Sequence, residues 1–171
     1  PEILRRMTSE TATEHATNPI AAALSAKSAW PVVSVLAFLD EARLPLRLAT
    51  RDAAGYPHIT SLWFLHEAGR LFCCTQRSAL AARHIALCAQ VGFELAVNEP
   101  PYHGLTGHGD ACLVERDAEA LLERLIARYL EDRNPRLRGW LLSRGATEVV
   151  IEITPRHLTT WDLRARMSRA D

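Results

Sequence analysis

The chain has 171 residues, 48% of them apolar, and its 20 acidic and 20 basic side chains cancel. That length buries one sizeable core without staples, no run of 18 apolar residues is present to cross a membrane, and the lack of a basic surplus argues against a nucleic-acid partner. Cys73, Cys74, Cys88 and Cys112 form no Cys-x-x-Cys pair, which points to core packing in a reducing cytoplasm and to no metal.

Residues 1–30 are polar and alanine-rich with weak periodicity, and read as a partly mobile N-terminal arm before a single domain over 31–171. The apolar stretch "IAAALSA" is too short and too far in for a secretory signal. "WPVVSVLAFLDEAR" is the first firm element: Val32, Val35, Leu36 and Leu39 fall at helical spacing, with Pro31 suited to the first helical position.

Strands follow. "PLRLATRD" alternates, with Leu46, Leu48 and Thr50 on one face and Arg47, Ala49 and Arg51 on the other. "AAGY" is a turn, "PHITSLWFL" a second strand, and "HEAGR" turns into a third, "LFCCT". Connections this short predict an antiparallel meander, because a parallel pair needs a long crossover.

The third strand leads through "TQRS" into the helical pattern "SALAARHIALC". A threonine hydroxyl, the Arg77 guanidinium and amides at a helix start are the chemistry of an anion site. Lys27 is the only lysine in the chain, so an anion held downstream by a basic side chain is held by arginine or histidine.

"QVGFELAVN" is a strand with Val91, Phe93, Leu95 and Val97 on one side. "EPPYHG" breaks the chain, and "LTGHGDACLVER" is a strand whose Gly107 and Gly109 mark a bend or bulge. "DAEALLERLIARYLED" places Leu121, Leu125 and Tyr129 on one helical stripe. "NPRLRGWLLSRG" has Asn134 as cap, Pro135 just inside and Gly145 as terminator. "TEVVIEIT" and "RHLTTWDLRAR" are two alternating strands separated by Pro155. The fold class is α+β: about seven strands that curl most simply into an antiparallel barrel that removes its own edges, with a few flanking helices.

"LATRDAAGYPHITSLWFL", "GRLFCCT" leading into a helix, "PPYHGLTGHGDACLV" and a closing "TTWDL" together resemble the pyridoxamine 5'-phosphate oxidase-like family of FMN-binding split β-barrels, over roughly residues 32–166. The resemblance implies a homodimer of antiparallel Greek-key split β-barrels of six to seven strands, with two flavin sites at the subunit interface. It assigns the flavin phosphate to Thr75, Gln76, Arg77, Ser78, Arg83 and His84, joined by Arg47 or Arg51 from the first strand, where Thr50 is a further cofactor-binding residue. The flavin ring falls to Ser61, Leu62 and Trp63, and Trp161 approaches the flavin of the other subunit. In one respect the chain departs from the pattern: the Ser or Arg followed by Lys in the first helical turn is replaced by Ala79, Leu80 and Ala81.

In such proteins the redox chemistry is the cofactor's, so the expected function is an FMN-dependent oxidoreductase acting on a small molecule, with NAD(P)H as a hydride source and no catalytic side chain named. Pyridoxamine-phosphate oxidase itself is excluded as an expectation, because the C-terminal Arg-x-His that grips its substrate is missing from "WDLRARMSRAD". Two alternatives stand beside it. One is a deazaflavin-dependent reductase of the same fold. The other is a non-enzymatic split-barrel dimer with a degenerate flavin site, holding haem or a pigment or serving as a scaffold.

Overall fold

The computed structural model describes residues 18–114 and 116–169. A five-residue helix α1 (Pro19–Ala23) and helix α2 (Val32–Glu41) precede strands β1 (Leu46–Arg51), β2 (Pro57–Leu62), β3 (Phe64–Glu67) and β4 (Arg70–Gln76). Helix α3 (Leu80–Leu87) leads to β5 (Gln90–Ala96) and β6 (His103–Val114), then α4 (Ala118–Leu130) and α5 (Pro135–Leu142). A 3-10 turn (Gly145–Thr147), β7 (Glu148–Asp162) and a short α6 (Arg164–Met167) complete the chain.

All seven strands join one antiparallel sheet in the order β2-β1-β5-β6-β7-β4-β3. The two outermost strands, β2 and β3, are consecutive in sequence and separated by Trp63 alone. The sheet therefore has to curl until its edges meet, and it remains split between them because no ladder joins β2 to β3. This is an α+β split barrel: the alternating patterns predict the antiparallel barrel, and the family resemblance implies its split form. Leu46, Leu48, Phe64, Leu71, Phe93, Leu95, Leu105 and Ile151 fill its interior, and Ile20, Val35 and Leu39 plug it from α1 and α2. Leu121 and Leu125 of α4 cover the outer face of β4 and β7 through Leu65, Phe72 and Val150.

Two strand readings are corrected. "PHITSLWFL" is not one strand: it breaks at Trp63, whose ring leaves the ladder to stack on Tyr129 at 5.1 Å and 5°. The meander becomes two hairpins at opposite ends of the strand order. Nor does Pro155 divide two strands. It lies where the β6–β7 register shifts at His108/Gly109, a bulge that spares a proline the ladder bond it cannot donate, so β7 runs unbroken.

Local chemistry sets the ends of elements. Asn134 caps α5, its Oδ1 accepting the Leu137 N–H at 3.1 Å, and Pro135 stands just inside. The helix stops at Leu142, before Gly145, which instead opens the 3-10 turn. In the β3–β4 turn Gly69 has φ +78°, and a Cβ there would lie 2.4 Å from Asn18 Oδ1, so the cap of α1 rests directly on this glycine. Residues 18–30, inside the arm read from sequence, pack on β7: Ile20 is fully buried, Ser25 N–H donates to Leu158 O and Trp30 N–H to Thr160 Oγ1. Residues 1–17 lie outside the described residues.

Candidate functional site

The last residues of β2, Trp63 and the end of β4 meet beneath α4 and α5 around a cleft of about 320 Å³. Its apolar walls are Leu62, Trp63, Leu122, Leu125, Leu137 and Leu141, and its polar edge carries Ser61, Thr75, Gln76, Arg144 and Glu148. Trp63 is held in place by its stack on Tyr129, and the Tyr129 hydroxyl donates to Leu44 O at 3.1 Å. The Thr75 hydroxyl makes no hydrogen bond among the described residues, so it is available to a ligand.

The mouth is a knot of hydrogen bonds. Gln76 and Glu148 are ladder partners, and the Gln76 amide donates to the Glu148 carboxylate. Thr147 Oγ1 donates to Gln76 Oε1 at 2.6 Å, and Arg77 N–H donates to Thr147 O at 2.9 Å. Of the amides expected to be free beside the helix start, those of Arg77 and Ala79 are thus engaged, the latter with Gln76 O. Helix α3 itself begins without a side-chain cap.

Five of the residues singled out from sequence, Ser61, Leu62, Trp63, Thr75 and Gln76, line this single cleft. Arg77 and Ser78 follow Gln76 at its rim and are exposed. Arg47 is the ladder partner of Ser61 but is engaged by Glu94 at 3.3 Å and by Asn98. Thr50 is 1% exposed and lies 3.0 Å from His84 Nδ1, so it packs α3 rather than facing a ligand. Arg83 is exposed on α3. Trp161 stands at the far end of β7, opposite Gly104. Ala81, where the phosphate lysine is missing, is 4% exposed.

Sequence reasoning missed Leu122, Leu137, Leu141, Arg144 and Glu148. The α4 leucine stripe was visible, but nothing in a helix-period pattern says that α5 folds back over the sheet. Cys74 also lines the cleft, and burial, with the Glu148 charge beside it, pushes its thiol up to about 12. It is therefore no nucleophile. Cys88 is the contrary case: Arg51 Nη2 donates to its sulfur at 3.1 Å and holds its pKa below the ordinary thiol value. Burial raises Cys73 and Cys112. At pH 7.5 iodoacetamide is expected to alkylate Cys88 first, as read by peptide mass mapping against time. Faster labelling of Cys74 or Cys112 contradicts this.

Among the described residues no group of three His, Cys, Asp or Glu side chains is arranged to hold a metal ion, and no helix is long and apolar enough to cross a membrane.

No family model and no curated protein matches the chain. Solved structures do. A conserved hypothetical protein of Mycobacterium tuberculosis, Rv2991, is 21% identical with a TM-score of 0.68, over 84% of this chain and 92% of that one. An F420 reductase is 22% identical with a TM-score of 0.59, over 71% and 93%. A candidate pyridoxamine 5'-phosphate oxidase of Listeria innocua is 20% identical with a TM-score of 0.56, over 75% and 95%. The likeness is one of fold, and it agrees with the split barrel described above.

Proposed function

We propose that the chain binds a flavin mononucleotide in the cleft between β2, β4 and the α4–α5 hairpin, and works as an oxidoreductase on a small molecule. The observation that carries this reading is the meeting, on one cleft, of Ser61, Leu62 and Trp63, which the family pattern gives to the ring, with Thr75 and Gln76 of its phosphate set. The donor set fits the group: a leucine- and tryptophan-walled slot suits a flat ring, while hydroxyls, an amide and a guanidinium at one edge suit its polar tail. When bound, the flavin supplies hydride transfer between a donor such as NAD(P)H and the substrate. The chain's own part is to bind, orient and keep water out. Trp63 and the leucines exclude water, Ser61 and Thr75 offer hydroxyls, and Gln76 is fixed by Thr147 and Glu148.

A homodimer belongs to this reading for a geometric reason. Glu148 at the cleft and Trp161 are near opposite ends of β7, separated by a strand contour of about 40 Å at roughly 3.3 Å per residue. On this reading Trp161 faces the flavin of a second subunit. Tyr56 and Ile59, 72% and 67% exposed on and beside edge strand β2, supply apolar surface for such a contact. The cytoplasm is the proposed location.

The test is flavin binding by the purified protein. We expect one FMN per chain, and Thr75→Val is expected to weaken FMN about tenfold, the effect of losing one hydrogen bond to a charged group. Arg156→Ala, paired with Asp110 and remote from the cleft, is the control and leaves affinity unchanged. A protein that neither FMN nor the deazaflavin cofactor stabilises against heat defeats the reading in favour of the scaffold or pigment-binding role. The deazaflavin alternative draws support from the F420 reductase of the same fold and is favoured if that cofactor binds where FMN does not.

A further inference from the structure

We propose that Arg144 is the anion-binding cation of the cleft and takes the place of the lysine that α3 lacks. The inference rests on the flavin reading above and adds to it the residue that selects a phosphorylated ligand.

Residues 79–81 cannot supply a charge. Ala79 and Ala81 are alanines, and Ala81 is buried. Arg77 and Arg83 are exposed and do not line the cleft. Arg144 does line it, and among the described residues it is the only cationic side chain that does. It arrives from an element far away in sequence, the turn between α5 and β7.

That turn is held firmly. Arg144 O accepts from Thr147 N–H at 3.0 Å and from Thr147 Oγ1 at 2.9 Å. The same Thr147 hydroxyl lies 2.6 Å from Gln76 Oε1, so its single proton serves either this oxygen or Arg144 O, and Thr147 O accepts the Arg77 N–H. The backbone of Arg144 is in this way fastened to the end of β4, where the family pattern puts the phosphate. Gly145 next to it is wedged against α4, since a Cβ there would meet the Glu119 side chain at 2.9 Å.

The guanidinium is also held without being neutralised. It lies 4.4 Å from the centroid of the Trp140 ring, a stack that uses its face and leaves its edge donors free. Among the described residues no carboxylate stands within ion-pair distance of it. Glu148 shares the mouth and its carboxylate accepts from the Gln76 amide; its remaining negative charge turns an anion toward the Arg144 side. An unpaired, preoriented guanidinium at the polar edge of an apolar slot recognises an amphipathic anion, and it can do so bidentately. A flavin carrying a terminal phosphate meets that description, and the same flavin without phosphate does not.

The experiment compares FMN with riboflavin, which shares its ring and side chain but has no phosphate, on the full chain by calorimetry. Wild type is expected to prefer FMN. Arg144→Gln should weaken FMN about tenfold or more, as for a charge-assisted hydrogen bond, and leave riboflavin within about twofold, so that the preference collapses. Arg144→Lys should recover part of the FMN affinity. Arg77→Gln should cost less than Arg144→Gln. Equal losses for FMN and riboflavin would mean that Arg144 merely packs the cleft, and unchanged FMN binding would remove it from the site; either result overturns the proposal and leaves the flavin reading standing. Wild type that binds neither ligand overturns both.

Discussion

Gly109→Ala lowers the stability of the barrel by about 3 kcal/mol, the upper range for forcing extra volume into packed structure. A Cβ at this position would lie 2.2 Å from Thr154 O, with Pro155 Cα at 3.0 Å. These are backbone atoms of the paired strand and cannot rotate away. Gly109 stands at the bulge where the longest ladder of the sheet shifts register, so the only relief is to part β6 from β7. The expected reading is a lower urea midpoint at unchanged slope. Gly139→Ala is the internal contrast. A Cβ there meets nothing within 4 Å, and replacing a helical glycine should raise stability by about 0.5–1 kcal/mol. If the two substitutions shift the midpoint alike, close approach at the bulge is not what Gly109 provides.

Arg128→Ala is expected to cost about 3 kcal/mol, because it strips the donor from several partly buried carbonyls at once. From α4 the guanidinium reaches the C-terminal end of α2, donating to Asp40 O at 2.7 Å, Ala42 O at 2.8 Å and Leu39 O at 2.9 Å. The last carbonyls of a helix have no partner within it, and a positive charge there also complements the helix dipole. One side chain thus fastens the helix that plugs the barrel to the helix that roofs the cleft. Arg128→Lys should restore less than half of the loss, since an ammonium cannot match a planar fork to three oxygens. Flavin binding at low temperature should suffer less than stability, as Arg128 does not line the cleft. A variant as stable as wild type would show that water serves these carbonyls equally well.

Most of the secondary structure was legible because alternation and helical spacing report which side of an element is buried. Leu46, Leu48 and Thr50 were placed on one face of β1, and all three are buried. Leu121 and Leu125 were placed on one stripe of α4, and they pack on the sheet. Asn134 and Pro135 marked the start of α5, since capping is chemistry between neighbours. Gly107 and Gly109 announced the bulge for the same local reason. The ordered series of motifs led from there to the split barrel.

What the sequence by itself determined, then, is everything carried by residues a few positions apart: the elements, their buried faces, the turns, and the polar run at the end of β4. The tertiary structure alone decided that β2 and β3 part at Trp63, that α5 closes over the cleft, and that Arg144 rather than a residue of α3 stands at its mouth. The reason is one of range. Periodicity records the environment of a side chain averaged over a face, but it holds no information about which distant segment provides that environment. Trp63 is apolar whether it continues a strand or stacks on Tyr129, and Arg144 looks like any solvated arginine until the hydrogen bonds of Thr147 fasten its turn to Gln76 and Arg77.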